Sequence, residues 1–391
     1  MAFATIDVTK GISGVTPVAN GGTAISSGFK NGVDPRPDAK PLMINGNMAV
    51  AQRGTSFTHA NSNNNAFPVD RFTFQTGSIG EYTSTQETLS SGAAYNAGFR
   101  KAARIDCTSA DASPSSGDYF WFQYTIEAQD CLVFKKGTSN AEKMTVAFWV
   151  KSNKTGTSQL TVKDSDNDRQ VAGTYTISTA NTWEHKVINL PADTSGAINN
   201  DNGAGLRFEW WLGGGSSYTS GSVPTAWEAV ADADRGVQNL AINDSTSNDW
   251  AITGIQVEVG EFSSTTLPPF QHEDFGDNLA RCQRYYLNYA EGSGKMVGMT
   301  ASYSSSEVVL MHNFPTSMRS APTLEINTGS SYYSHGENGA VQSITGTNIS
   351  IDRAHSNGAQ FLLTSMSANS GDGGFLYTGH GSSKISYKAE L

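Results

Sequence analysis

At 391 residues the chain is long enough for two or three domains with cores of their own. Only 37% of it is hydrophobic and 16% charged; Gly, Ser, Thr and Asn make up the difference, with 40 glycines, which suits strands joined by many turns and argues against a helical bundle. With 26 basic against 36 acidic residues, a net charge of −10 and no basic stripe, it is a poor binder of nucleic acid through phosphates.

The first ten residues lack a basic stretch followed by an apolar one, so no secretion signal is expected. No apolar run approaches the ~20 residues of a membrane span, and the chain reads as soluble and made in a cytoplasm. Residues 1–40 are rich in Gly, Pro, Ala, Thr and Asn without periodicity, an extended segment that neighbours in a complex would order. Residues 41–275 read as all-β. DYFWFQYTI (118–126) is apolar on both faces, as a strand covered on each side should be. In MTVAFWVKS (144–152), Met144, Val146, Phe148 and Val150 form one face and Thr145, Ala147, Trp149 and Lys151 the other. GLRFEWWL repeats this, with Leu206, Phe208 and Trp210 opposite Arg207, Glu209 and Trp211. Shorter strands at SQLTVKD, TYTIS, HKVINL and AITGIQVEV, separated by turn clusters, imply a sandwich, most simply a jelly roll.

Residues 276–290 read as a short helical junction. Leu279, Cys282, Tyr286 and Tyr289 fall on one helical face, Asp277 or Asn278 would cap its start, and Arg281 and Arg284 would point away from the seam between two domains. Residues 291–391 return to strands, from GMTASY to KISYKAEL, and form a second, smaller sandwich-like β domain. Cys107, Cys131 and Cys282 are too scattered for a disulfide framework or a zinc site and read as buried thiols.

Trp149 and Trp211 lie opposite the apolar stripes of their strands, beside Lys151, Arg207 and Glu209. Exposed rings flanked by polar groups would stack on sugars. The alternative is that the rings pack under a long loop or against a neighbouring subunit. Trp183, Trp227 and Trp250 read as core or loop anchors. Three Gly/Ser/Asn loops carrying Tyr332, Tyr333, His335, His355 and His380 resemble adaptable recognition loops at the receptor-facing tip. Asp164, Asp166 and Asp168 have the DxDxD spacing of a calcium loop, but Arg169 and Tyr175 stand where an EF-hand needs Gly and Glu, so a polar hairpin turn is expected and no metal. No nucleophile, metalloprotease or nucleotide-binding motif is present, so neither catalytic residues nor a cofactor are expected.

Several stretches, in order, resemble structural and tail-fibre proteins of tailed bacteriophages: PVANGGTAISSG (17–28), LMINGNMAVAQRGTSF (42–57), PVDRFTF (68–74), FWVKSNKTG (148–156), TYTISTANTWEHKVINLPADTSG (174–196), DNGAGLRFEWWL (201–212) and ITGIQVEVGEFSSTTLPPFQHEDFGDNLARCQRYY (252–286). The terminal Ala-Glu-Leu matches in style. The resemblance implies a carbohydrate-binding-module-like jelly roll, a virion location and a homotrimer. The expected function is a tail fibre or appendage that attaches to host-surface glycan, with residues 1–40 docking on other virion proteins. A structural adaptor or head decoration is the alternative, and a polysaccharide depolymerase a third.

Overall fold

The computed structural model describes residues 40–60 and 65–391. The expected docking segment at 1–40 therefore lies, apart from Lys40, outside the described residues. In chain order the first part comprises β1 (Ser56–His59), β2 (Ala66–Val69), β3 (Phe72–Gly77), β4 (Glu81–Thr88), α1 (Ala93–Asn96), β5 (Lys101–Ser109), β6 (Tyr119–Glu127), β7 (Met144–Ser152), β8 (Gly156–Asp164), β9 (Arg169–Ile177), β10 (Glu184–Leu190), β11 (Ala204–Gly214), α2 (Ser216–Thr219), β12 (Glu228–Ala229) and β13 (Asp249–Val259). α3 (Phe275–Gln283) follows at the join, and the second part comprises β14 (Tyr286–Glu291), β15 (Met296–Ser302), β16 (Glu307–Asn313), β17 (Thr323–Ile326), β18 (Tyr333–Glu337), β19 (Ala340–Ile344), β20 (Ile349–His355), β21 (Gly358–Thr364), β22 (Gly373–Thr378) and β23 (Lys384–Lys388).

Two antiparallel sheets form a jelly-roll sandwich: six strands in the order β1-β4-β5-β13-β7-β10, and seven in the order β12-β9-β8-β11-β6-β3-β2. The alternation read from the sequence decides what lies between them. Met144, Val146, Phe148 and Val150 face Leu206, Phe208 and Trp210, and Trp210 meets Phe122 and Phe148 at 6.0 and 5.7 Å. Each such side chain contributes roughly 1.5–3 kcal/mol by leaving water. Strand β6 is covered on both faces: Phe120, Phe122 and Tyr124 enter the core, while Trp121 lies 4.7 Å from Trp211 on the other side.

The second unit packs a three-stranded sheet, β14-β23-β17, against one face of a seven-stranded sheet, β19-β18-β22-β15-β16-β21-β20. Its core contains Leu287, Leu310, Phe361, Leu376, Ile385 and Tyr387.

The helix at the join differs from the sequence reading at both of its ends and in its arginines. Its cap is Asp274, whose carboxylate accepts from the Gly276 amide at 2.8 Å, three residues before the earlier of the two expected caps, Asp277 and Asn278. It ends at Gln283, so Tyr286 and Tyr289 lie on β14 and not on the helical face. Cys282 is buried in the jelly-roll core with Leu279 packed beside it, so the helix belongs to the jelly roll. Nor does Arg284 point away: its Nε and Nη2 donate to the buried Glu127 at 2.7 and 2.8 Å, and Tyr285 donates to the same carboxylate. Arg281 turns back to Glu273 and the Pro41 carbonyl.

Buried charge joins the two units. Glu390 accepts from Arg53 at 3.0 Å and from Arg71 at 2.5 Å. The Arg71 guanidinium lies 3.4 Å from the Tyr285 ring centre, and that of Arg53 3.6 Å from Tyr286. Gln52 donates to the Tyr286 carbonyl at 2.7 Å, and Leu391 packs against the jelly-roll core. The segments AQRGTSF, PVDRF, CQRYY and Ala-Glu-Leu thus converge on one seam.

Candidate functional site

Strand β7 directs Trp149 and Lys151 to the outer face of the six-stranded sheet, and β11 directs Arg207, Glu209 and Trp211 to the outer face of the other. The expected glycan-binding set is therefore divided between opposite sides of the sandwich and does not form one site.

Its β11 half is structural. Trp211 and Glu209 are fully buried. The chain after β11 folds back over them. Arg235 binds Glu209 through Nη2 and Nε at 2.8 and 3.2 Å, the Tyr218 ring lies 5.3 Å from Trp211, and Gly236 packs so closely that a Cβ there would stand 2.4 Å from the indole. The reading of Trp211 as an exposed platform is corrected: the ring lies under a long loop. Arg207 is half-buried on the same face.

The β7 half lines a cleft. Register places His185 of β10 opposite Trp149, with ring centres 5.0 Å apart. On the other side, β13 bulges between Thr253 and Gln256. Gly254 in the bulge has φ +62, and a Cβ on it would stand 2.5 Å from the Phe99 ring; glycine there lets Phe99 lie on the sheet. Phe99 meets Phe270 edge-on at 4.9 Å, and the Gln256 amide donates to the Pro268 carbonyl at 3.0 Å, fixing the 263–270 segment as the far wall. The resulting cleft, of about 210 Å³, has Trp149, His185, Phe99 and Phe270 as walls, with Leu267 and Pro269 at its rim. Trp149 is half-buried, its remaining surface facing the cleft.

Burial, reinforced by Lys186, holds the His185 imidazole below its ordinary pKa, so it is neutral at neutral pH. Charge sits beside the cleft and is already paired. Lys151 lies 3.4 Å from Glu87 and 5.2 Å from the Trp183 ring, while Arg104 binds Asp106 and Asp249 at 2.6 and 2.9 Å. The cleft itself offers the partly open rings of Trp149 and Phe270, backed by the buried Phe99, with the neutral His185 beside them, the chemistry that holds a pyranose by its C–H face and hydroxyl edge. His185, Phe99, Phe270 and Gln256 were not singled out from the sequence, since they join Trp149 through cross-strand register and a bulge.

The recognition-loop residues also separate. Tyr333 and His335 are buried on β18, not in a loop: the Tyr333 hydroxyl donates to the Lys384 carbonyl at 2.8 Å, and His335 Nε2 meets the Thr300 hydroxyl at 2.8 Å. Tyr332 and His380 stack at 4.5 Å, with His380 exposed, and His355 is exposed at the β20–β21 turn toward the opposite edge of the sheet. The aspartates of DSDND form the β8–β9 turn, where the buried Asp164 is bound by Lys136 and by the amide of Asp166.

No family model matches the chain, and no curated protein matches it. Solved structures similar to it include the enzymatically active domain of tailspike protein 4 of bacteriophage CBA120, 14% identical over 56% of this chain with a TM-score of 0.27; of that longer chain it spans 21%. The family 11 carbohydrate-binding module from Clostridium thermocellum, in complex with a β-1,3-1,4-mixed-linked tetrasaccharide, is 11% identical over 53% of this chain and 96% of its own, with a TM-score of 0.25. The CBM22-1 xylan-binding domain of Paenibacillus barcinonensis Xyn10C is 9% identical over 55% of this chain and 100% of its own, with a TM-score of 0.23.

Proposed function

We propose that the chain is a virion appendage protein of a tailed bacteriophage, present as a homotrimer, that attaches to host-surface polysaccharide through the Trp149 cleft. The carrying observation is the cleft: a half-buried indole, a neutral histidine at 5.0 Å and two phenylalanines, on the outer face of a jelly-roll sheet. The virion location and the homotrimer rest on the motif order from residue 17 to 286. Residues 1–40 dock on other virion proteins in this reading, and copies of a weak site add through effective concentration.

Adhesion and not turnover fits the electrostatics beside the cleft, where Glu87, Asp106 and Asp249 are each committed to Lys151 or Arg104. The test is binding of the folded chain to host polysaccharide, with Trp149→Ala reducing affinity about tenfold or more, equivalent to roughly 1.4 kcal/mol or above. Trp211→Phe, beneath the opposite face, should leave affinity unchanged. Release of reducing ends from the polysaccharide would replace adhesion with depolymerisation.

A further inference from the structure

The seven-stranded sheet of the second unit has one face in the core and one in solvent. Pairing across β22, β15 and β16 puts Phe375 opposite Met299, Ala301 opposite Val309, and Met311 two residues along, all on the outer face. Val341 of β19 and Leu362 of β21 extend the same face toward both edges. Met299 is 77% exposed, Met311 60% and Val341 60%. Of the eight methionines among the described residues, five are buried and the other three are Met296, Met299 and Met311. A solvated strand face ordinarily alternates to polar side chains, and this one does not.

We infer that this face is the surface through which copies of this chain associate. It deepens the homotrimer reading above and rests on that reading for the number of copies. Two arguments select a second copy as the occupant. The first is charge: the face carries acidic groups only at its margins, Glu307 and Asp352, and a charged partner would be desolvated against methionine without compensation. The apolar face of each further copy, brought up around a threefold axis, meets that requirement, whereas the chain as a whole is acidic at −10. The second is extent: from β19 to β21 there are five strand spacings, so with strands about five residues long the patch measures roughly 24 by 17 Å, about 400 Å² in plan. Patches of a few hundred Å² on soluble proteins mark interaction surfaces, and the polar rim of Ser343, Ser350 and Gln360 brings the face toward the ~800 Å² per partner of a stable pair.

Light scattering of the full chain at micromolar concentration should give a mass that is a multiple of 41.6 kDa. Met299→Glu and Met311→Lys, each at an exposed position, should return the chain to 41.6 kDa with an unchanged circular dichroism spectrum. Val133→Glu, an exposed apolar position on the jelly roll, should remain assembled. A second readout does not depend on charged variants: Met299→Cys should be alkylated at least tenfold more slowly than Val133→Cys, since the three native cysteines are buried. A monomeric wild type, or equal alkylation rates, overturns the inference. Polysaccharide binding by the monomeric Met299→Glu chain is read separately: it weakens by the lost avidity but still depends on Trp149, and loss of that dependence counts against the Trp149 site and not against this interface.

Discussion

Glu390 is a single carboxylate that two guanidinium groups enclose at the seam between the units. Burial alone would raise its pKa, but Arg71 and then Arg53 outweigh that and hold it below the ordinary value. Glu390→Gln leaves both arginines without a counter-charge and should cost about 3–5 kcal/mol in chemical denaturation. A loss below about 1 kcal/mol would mean that the seam is solvated. His312 gives a second residue-level outcome. It stacks on Tyr289 at 4.0 Å and bonds the Tyr387 hydroxyl, and burial pushes its pKa from 6.5 down to about 4. The unfolded chain therefore takes up a proton that the fold refuses, so stability is full above about pH 6.5 and falls as pH drops toward 4, by up to roughly 3 kcal/mol. His185, His272 and His335, also lowered by burial, act in the same direction. His312→Gln should flatten the decline in melting temperature between about pH 6.5 and 4.5, above the range in which Glu390 and Glu127 titrate. An unchanged slope would exclude His312 as its source.

At the scale of the element, the bulge in β13 shapes the cleft. Gly254→Ala places a Cβ at φ +62 against Phe99, a conformation that costs about 1–2 kcal/mol in itself and displaces the ring from the cleft wall. Melting temperature and polysaccharide affinity should fall together, and affinity equal to wild type would remove Phe99 from the site. Helix α3 packs Leu279 on the jelly roll, so Leu279→Asp should expose the helix to proteolysis near residues 275–283 while the seam through Glu390 persists. The elements also mark what was legible in the sequence. The alternation of β7 and β11 could be read because it is local, a period of two that separates Phe148 from Trp149 and Trp210 from Trp211 without a partner strand. Which sheet each strand joins is a non-local pairing, so the like patterns of Trp149 and Trp211 give no sign that the two rings face opposite ways. His185 escaped notice for the same reason: only the β7–β10 register brings it to Trp149. Tyr333 and His335 look like loop residues among Gly, Ser and Asn, yet both lie buried on β18, Tyr333 beneath β23 with its hydroxyl on the Lys384 carbonyl and His335 against the Thr300 hydroxyl of β15.

Across the whole molecule, three surfaces divide the work. The seam of Arg53, Arg71, Arg284 and Glu390 fixes the second unit to the jelly roll. In the proposed function, the outer face of the second unit's seven-stranded sheet would bring copies together, and the Trp149 cleft on the outer face of the six-stranded sheet would hold saccharide. Three of the motif segments that resemble a phage appendage, AQRGTSF, PVDRF and CQRYY, build the seam, so they speak for architecture more than for recognition. Recognition rests on Trp149, and the most direct measurement is equilibrium binding of host polysaccharide to the wild-type chain and to folded Trp149→Ala, both in the Met299→Glu background so that avidity does not mask the site. Binding that drops about tenfold or more with the indole removed is the expected result; equal binding by the two chains would contradict the account.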